Sequence, residues 1–278
     1  ASNKDAKKVV KKVKKKLKDD TTYGEAVEMV VSGLKKKGYL KKDNSAMLVS
    51  VVTDDKKAGE EKLKEVKDYT KKVKKDKKVK CVYIPNSINF FPQEKAKLET
   101  ENLISIGRLS HEKGYLDLID IFKEVHQKYP DSKLNIIGDG PDRKKIEKKI
   151  RDNKLEDYII LHGFQEKEYI NKYLEKSSVY IMTSYTESFG LVLLEAFAYG
   201  IPCVAYSSAE GANEIISDNW DGYLIKDRDK NKMIKRICEL LSNRNRRLIM
   251  GANGIKKAQE FNTQKTKQKW IEIINRKK

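Results

Sequence analysis

The sequence is poor in the residues that hold small secreted domains together. It has three cysteines in 278 residues, Cys81, Cys203 and Cys238, an odd number without metal-ligand or redox spacing. Such cysteines are typical of free thiols in a reducing compartment. No apolar run approaches the roughly 18 residues that cross a bilayer, and the N-terminus lacks the apolar core of a signal peptide. We therefore expect a cytoplasmic protein, or one that lies peripherally on the inner face of a membrane.

Arginine is absent before Arg108, although the chain is strongly basic. The formal net charge is +19, and residues 1–80 hold 26 of the 60 basic residues, all lysine, against 13 of the 41 acidic ones. Proteins that bind nucleic acid usually present arginine forks to bases and phosphates, so we expect no nucleic-acid partner. Two interpretations of the lysines stay open. They attract residues 1–78 to an anionic membrane surface, or they only solvate helix faces.

Residues 1–78 predict a small, lysine-rich α/β unit. Amphipathic patterns predict helices over 4–18, 22–37 and about 58–75, and residues 46–53 are typical of a strand. The unit contains no histidine and no glycine-rich loop. The stretch GYLKKDNSAMLVSVVTDD resembles part of an extracytoplasmic domain of certain bacterial anti-sigma factors, but it is too short to indicate a function.

Residues 79–278 predict a second domain in which strands alternate with helices. Strand-like apolar runs occupy 102–107, 134–138, 158–163, 179–184, 202–206 and 222–225. This alternation predicts right-handed βαβ units in a doubly wound, parallel, Rossmann-like sheet. Ligands of such sheets bind at the carboxyl ends of the strands, beside helix N-termini. The residues that directly follow the strands are therefore the candidates for a site.

Two of these loops carry glycine and charge. GRLSHEKG (107–114) encloses Arg108 and Lys113 between glycines, which suits an anion bound beside a helix start, although solvated side chains on a surface loop would look the same. GDGPD (138–142) predicts a tight turn with proline at the first helical position. It is not a dinucleotide fingerprint, because Arg143 stands where the third glycine belongs.

The stretch ESFGLVLLE (187–195) has a carboxylate at each end of an apolar segment. We predict that Gly190 opens a helix, which Leu191, Leu194 and Ala198 pack onto the sheet. Glu187 then precedes this helix, and Glu195 lies about 8 Å along its axis. The amides of Phe189–Val192 then form a phosphate-binding helix start. The order carboxylate, anion site, carboxylate suits a ligand built as sugar, phosphate and sugar. Glu195 lies on an apolar helix face, where a carboxylate needs a partner.

Residues 102–261 resemble the donor-binding half of a retaining glycosyltransferase of family 4 (group 1), an enzyme of the two-domain GT-B architecture. The segments that carry this resemblance are GRLSHEKG, IIGDGP, LHGF, ESFGLVLLE, AYGIPCVA and GANEIISDNWDGYLI. It extends back to YIPNSINFF (83–91), where such enzymes cross between their domains. The resemblance implies a nucleotide-sugar-binding domain over 79–278.

The resemblance also implies roles for individual residues. Arg108 and Lys113 would hold the donor diphosphate, Glu187 would contact the transferred sugar, and these three are the candidate catalytic residues. Glu195 would accept hydrogen bonds from ribose, and Gly163 and Phe164 would border the base. The candidate binding residues are therefore Arg108, Lys113, Phe164, Glu187, Ser188, Phe189, Gly190, Leu191, Val192 and Glu195.

No metal or other cofactor is expected, because fixed cations and amides would stabilise the leaving diphosphate. Asp227, Arg228 and Asp229 do spell the Asp-x-Asp metal motif of a different glycosyltransferase architecture. They follow the last predicted strand, however, and Asp229 fits better as the N-cap of a helix over 230–242.

The resemblance implies transfer of a hexose from a nucleotide sugar, UDP-linked, with retention, to a lipid-linked or polysaccharide acceptor. Relatives of this kind have an N-terminal acceptor domain with a glycine-rich loop and a histidine near the reacting sugar. Residues 1–78 offer neither. The alternative is therefore a catalytically silent nucleotide-sugar-binding module whose acceptor domain is missing.

Overall fold

The computed structural model describes residues 84–275. The chain divides into two units between Tyr83 and Ile84, and the elements predicted before residue 79, like Cys81, lie outside the described residues. The strands are β1 (Asn102–Ile106), β2 (Lys133–Ile137), β3 (Ile159–Leu161), β4 (Val179–Met182), β5 (Cys203–Tyr206) and β6 (Gly222–Ile225). The helices are α1 (Tyr115–Lys128), α2 (Arg143–Asp152), α3 (Lys167–Glu175), α4 (Leu191–Ala198), α5 (Glu210–Ile215), α6 (Lys230–Ser242), α7 (Arg244–Glu260) and α8 (Thr263–Asn275).

The six strands form one sheet in the order β3-β2-β1-β4-β5-β6, and every neighbouring pair is parallel. The chain builds outward from β1 to β3 and then returns to build β4 to β6 on the other side. The predicted doubly wound, Rossmann-like α/β fold is thereby confirmed. The predicted strands are all present, although β3 is shorter than the apolar run 158–163 because pairing with β2 ends at Leu161.

Helices cover both faces of the sheet, which explains why most side chains on both faces of the strands are apolar. Alternate side chains of β4 point to opposite faces, so that Val179 and Ile181 join one core and Tyr180 and Met182 the other. The first core is completed by α1, α2 and α6, and the second mainly by α3, α4 and α5.

The hydroxyl of Tyr180 lies where β1 and β4 separate. The two strands pair only as far as Ile104 and Tyr180. Beyond that point the Tyr180 hydroxyl donates to the carbonyl of Ile106 at 3.1 Å and receives the amide of Ile106 at 3.3 Å. Hydrogen bonds of the buried Tyr180 side chain thus take the place of backbone hydrogen bonds between β1 and β4. Beyond this point a crevice opens between the loops that follow the two strands. Burial raises the pKa of this hydroxyl well above its ordinary value, so it stays protonated.

Helices α4 and α6 begin where the sequence predicts, whereas α2 begins later than predicted. Asp229 caps α6 as predicted, because its carboxylate accepts the amide of Lys232 at 2.9 Å. Gly190 precedes α4 with a φ of 86°, as expected for a helix opened by glycine. Helix α2 begins at Arg143 instead of Pro141, since residues 141–142 form a turn.

Gly114 brings the loop after β1 into direct contact with the end of β4. It has a φ of 67°, and a Cβ built on it would lie 2.2 Å from the carbonyl oxygen of Thr183. The Thr183 hydroxyl donates to the carbonyl of Lys113 at 3.1 Å on the same boundary. The two loops can approach this closely only because residue 114 has no side chain.

We predict that Gly114→Ala destabilises the domain more than Gly163→Ala does. Both residues have positive φ, which costs about 1–2 kcal/mol for alanine. At Gly163 the added Cβ would meet only side-chain atoms, at 3.3 Å or more. The backbone clash at Gly114 should add roughly 1–3 kcal/mol. Urea unfolding of both variants measures the difference, and equal losses of stability would contradict the close approach.

Candidate functional site

The loops that follow β1 and β4 lie side by side at the carboxyl edge of the sheet. The amide of Tyr185 donates to the carbonyl of Glu112 at 2.7 Å, which joins the two loops directly. A pocket opens beside this contact, over the crevice between the two strands. It is lined by Ser105, Ile106, Lys113, Tyr115, Tyr180, Met182, Thr183, Ser184 and Glu187.

Lys113 and Glu187 meet in this pocket. The Lys113 ammonium donates to Glu187 Oε2 at 2.6 Å, and the two side chains are 25% and 16% exposed. They come from different loops, 74 residues apart in the chain. The structure therefore brings together two residues that the sequence singled out separately, and it places opposite charges side by side in a partly desolvated position.

Helix α5 fixes the start of α4. The amide of Gly211 donates to the carbonyl of Glu187 at 2.7 Å, and a Cβ on Gly211 would lie 2.3 Å from the backbone of Phe189. The Phe189 ring is buried against Phe261, with ring centroids 5.8 Å apart. Phe189 therefore offers its backbone to the site and not its ring. Ser188 is exposed, and Gly190 turns the chain into the helix.

The exposure of the α4 residues corrects one detail of the predicted packing. Leu191 was expected to pack on the sheet, but it is 41% exposed. The buried face of α4 consists of Leu193, Leu194, Ala196, Phe197 and Ala198. Leu191 and the half-buried Val192 form the first turn, whose amides have no acceptor within the helix. A helix therefore starts at the predicted position, and its binding of phosphate stays a prediction.

Glu195 has a partner that the sequence did not reveal. Lys167, the first residue of α3, donates from its ammonium to Glu195 Oε1 at 2.7 Å. The same ammonium lies 5.7 Å from the centroid of the Phe90 ring. Glu195 thus has the partner that a carboxylate on an apolar helix face needs, but sequence spacing cannot identify a partner on another helix.

Arg108 is exposed on the loop after β1. Its charge contributes to the electrostatics of this loop, where the pKa of Glu112 is lowered. Burial of that carboxyl acts in the opposite direction, but it is outweighed by the hydrogen bond from Ser110 and by the charges of Lys113 and Arg108. The loop therefore keeps an ionised carboxylate among its cations.

Phe164 and His162 lie at the end of β3. Phe164 is 76% exposed, the most accessible of the large apolar side chains that the structure describes. His162 points inward, where Nε2 lies 2.9 Å from Asn135 Oδ1 and Nδ1 lies 2.9 Å from the Tyr169 hydroxyl. Burial lowers the pKa of His162, so the neutral ring is favoured. The hydrogen bonds of His162 therefore fix the start of the loop after β3. The exposed Phe164 ring can contact a ligand.

Arg228 fixes the loop that leads from β4 to Glu187, a role that the sequence did not indicate. Its guanidinium donates to the carbonyls of Thr183 and Ser184, both at 3.2 Å, and to Asp117 Oδ2 at 2.6 Å. It also lies 3.7 Å from the centroid of the Tyr185 ring. Arg228 itself has a φ of 53°, unusual for a residue other than glycine, and these contacts hold it there.

Among the residues that the structure describes, no group of three or more histidine, cysteine, aspartate or glutamate side chains could hold a metal ion. Asp229 of the Asp-x-Asp sequence caps α6, and Arg228 is taken up by the contacts of the β4 loop. Within residues 84–275 no helix is long and apolar enough to cross a membrane.

The sequence of this domain matches a known family. Residues 86–257, more than half of the chain, match the family described as Glycosyl transferases group 1. The chain therefore belongs to the group 1 glycosyltransferases. Residues 1–114 also match the anti-sigma factor RsgI-like central domain. The two matches overlap at residues 86–114, and the structure places residues 102–106 of this overlap in strand β1 of the glycosyltransferase sheet.

Similar curated proteins are glycosyltransferases. The chain is 27% identical over 194 residues to an uncharacterized glycosyltransferase of Haemophilus influenzae, which covers 69% of this chain and 54% of that protein. It is 29% identical over 184 residues to the poly(glycerol-phosphate) alpha-glucosyltransferase of Bacillus subtilis, covering 66% of this chain and 26% of that protein. The chain thus spans about half or less of the length of these relatives.

Solved structures of the same architecture include two complexes with UDP. A mutant of S. aureus TarM with fondaparinux, alpha-GlcNAc-glycerol and UDP superposes with a TM-score of 0.64 at 25% identity, over 75% of this chain and 42% of that one. The pneumococcal O-GlcNAc transferase GtfA with UDP and GlcNAc gives 0.60 at 29% identity, over 69% and 38%. The described domain corresponds to less than half of either protein.

We predict that Asp117→Asn destabilises the domain by roughly 1–3 kcal/mol at neutral pH, because Arg228 loses a charged partner. The pKa of Asp117 is lowered: burial raises it, but hydrogen bonds from Arg228, Lys230 and Tyr185 outweigh burial. A lowered pKa means that the carboxylate stabilises the fold above about pH 4, its ordinary range. This stabilisation is lost as the pH falls through the lowered pKa of the folded state.

Urea unfolding of wild type and Asp117→Asn at pH 7 and at successively lower pH values measures this effect. The gap in unfolding free energy should be largest at neutral pH and narrow on acidification. A gap that is independent of pH would show that the Asp117 charge does not hold Arg228.

Proposed function

We propose that residues 84–275 bind a nucleotide sugar, linked to UDP, as the donor of a glycosyl transfer. The observation that carries this proposal is the contact between Lys113 and Glu187 at the crevice where β1 and β4 separate. A hexosyl diphosphate joins an anionic phosphate directly to a sugar rich in hydroxyl groups. A cation and a carboxylate side by side match these two neighbouring parts of one ligand.

The remaining polar groups extend the same match. Lys113 and Arg108 would hold the diphosphate, together with the first amides of α4, which lie directly after Glu187. Glu187 would accept hydrogen bonds from the transferred hexose, and Glu195 from the ribose. Exposed Phe164 would border the base. The UDP found with TarM and with GtfA supports the choice of nucleotide.

The chemistry would be metal-independent displacement of UDP. As the bond between the sugar and the diphosphate breaks, charge develops on the leaving phosphate, where Lys113, Arg108 and the helix amides stabilise it. Retention of configuration and a lipid-linked or polysaccharide acceptor belong to the proposal. The named substrate of the B. subtilis relative, a poly(glycerol phosphate), supports a polymer acceptor.

Residues 1–78 enter this proposal only through their charge. A lysine-rich unit would attract the enzyme to the anionic inner face of a membrane, where lipid-linked acceptors lie. Those residues are outside the part that the structure describes. The hypothesis therefore depends on the composition of the sequence alone.

We predict that Lys113→Ala weakens UDP binding by about 10- to 100-fold, the effect of losing a charge-assisted hydrogen bond to phosphate. Glu187→Gln should leave UDP affinity within a few-fold of wild type, because UDP carries no hexose. Lys235→Ala is a matched control, since Lys235 is an exposed lysine in the middle of α6. Isothermal titration calorimetry measures all three, and unchanged UDP affinity in Lys113→Ala would refute the assignment.

A second experiment separates an active enzyme from a silent binding module. We expect wild type to hydrolyse UDP-glucose slowly, with water in place of the acceptor, and to release free UDP. Glu187→Gln should abolish this release while it still binds UDP. Tight UDP binding without any release by wild type would instead favour the module. A coupled assay for free UDP provides the measurement.

A further inference from the structure

We propose that Lys167 is a positioning residue, which orients the Glu195 carboxylate toward the ribose hydroxyls of the bound nucleotide. The inference rests on the proposed function, in which Glu195 recognises the ribose. It adds a residue that determines how the ribose is recognised. This residue lies outside segment 187–195, on a different helix.

The geometry of Lys167 is that of a bridge between three segments. The residue begins α3, its ammonium reaches Glu195 Oε1 on α4 at 2.7 Å, and it lies over the Phe90 ring at 5.7 Å from the centroid. The Phe90 ring in turn neighbours Tyr199, directly after α4, at 6.3 Å between centroids. The ammonium is therefore held from two sides, by a carboxylate and by an aromatic face.

The exposure of this ion pair argues against a mainly structural role. The Lys167 and Glu195 side chains are 40% and 29% exposed. Pairs at this level of exposure contribute about 0–1 kcal/mol to folding. The backbone of α4 is already fixed, because its neighbours Leu194 and Ala196 are fully buried. What Lys167 constrains is the orientation of the Glu195 side chain.

A fixed orientation matters for a carboxylate that accepts hydrogen bonds from the two neighbouring hydroxyl groups of a ribose. Lysine uses only Oε1 of Glu195, which leaves Oε2 to accept hydrogen bonds from hydroxyl groups. An unconstrained glutamate has three rotatable bonds and must be ordered when the ligand binds, at the expense of affinity. With Lys167 in place, the carboxylate is ordered before the nucleotide arrives.

The test compares UDP with 2′-deoxy-UDP by isothermal titration calorimetry. Both ligands carry the same charge, so the loss of a lysine charge cancels from the ratio of their affinities. We expect wild type to prefer UDP by about tenfold or more, the effect of one hydrogen bond to a charged group. Glu195→Ala should bring this ratio close to one, and Lys167→Met should lower it nearly as far.

Two further variants make the result specific. Lys172→Met removes an exposed lysine from the same helix and should keep the wild-type ratio. Phe90→Leu leaves the Lys167–Glu195 contact and removes the ring, so it should lower the ratio less than Lys167→Met does. Thermal unfolding of Lys167→Met should stay close to wild type, because the pair is half-exposed.

Each other outcome rejects a defined part of the argument. A wild-type ratio in Lys167→Met, with a lowered ratio in Glu195→Ala, would overturn the role of Lys167 and leave the donor site intact. A higher ratio in Lys167→Met would show that lysine competes with ribose for the carboxylate and also overturn the proposal. No preference in wild type, or an unchanged ratio in Glu195→Ala, would reject the ribose assignment of Glu195 itself.

Discussion

The separation of β1 from β4 is the constraint on which the rest of the site depends. The chain builds two strands on one side of β1 and three on the other, so two loops leave the middle of the sheet in opposite directions. Pairing stops at Ile104 and Tyr180, and the Tyr180 hydroxyl takes over the polar groups of Ile106. The backbone amide and carbonyl of Ile106 therefore keep hydrogen-bond partners where the crevice begins.

The charged side chains around this crevice are arranged in pairs that cross between elements. Lys113 joins Glu187 across the two loops, Lys167 joins Glu195 across two helices, and Arg228 joins Asp117 behind the β4 loop. The first two pairs face the proposed ligand position. The third, with its bonds to backbone carbonyls, supports the loop. Ion pairs thus have two roles in this domain. Two of them face the proposed ligand position, and the third stabilises the loop that follows β4.

The features that could be predicted are those determined by residues close together in the sequence. Apolar runs located the six strands, and the local cap by Asp229 located α6 to the residue. The loops with Arg108, Lys113 and Glu187 followed from their positions after strands. Lys167 and Arg228 escaped prediction because their partners lie 28 and 111 residues away, where no spacing rule applies. Leu191 was misjudged because seven of the eight residues of α4 are apolar, so its sequence does not show which face is buried.

The contact between Gly211 and the backbone of Phe189 limits how this site can vary. Any larger residue at position 211 would overlap the chain directly before α4, and the amide of Gly211 fixes the carbonyl of Glu187 in the same place. The length of the segment from Glu187 to Gly190 is therefore set from outside it, by a different helix. Engineering a new donor preference should leave this segment and Gly211 alone and vary the side chains at exposed positions such as Phe164 and Leu191 instead.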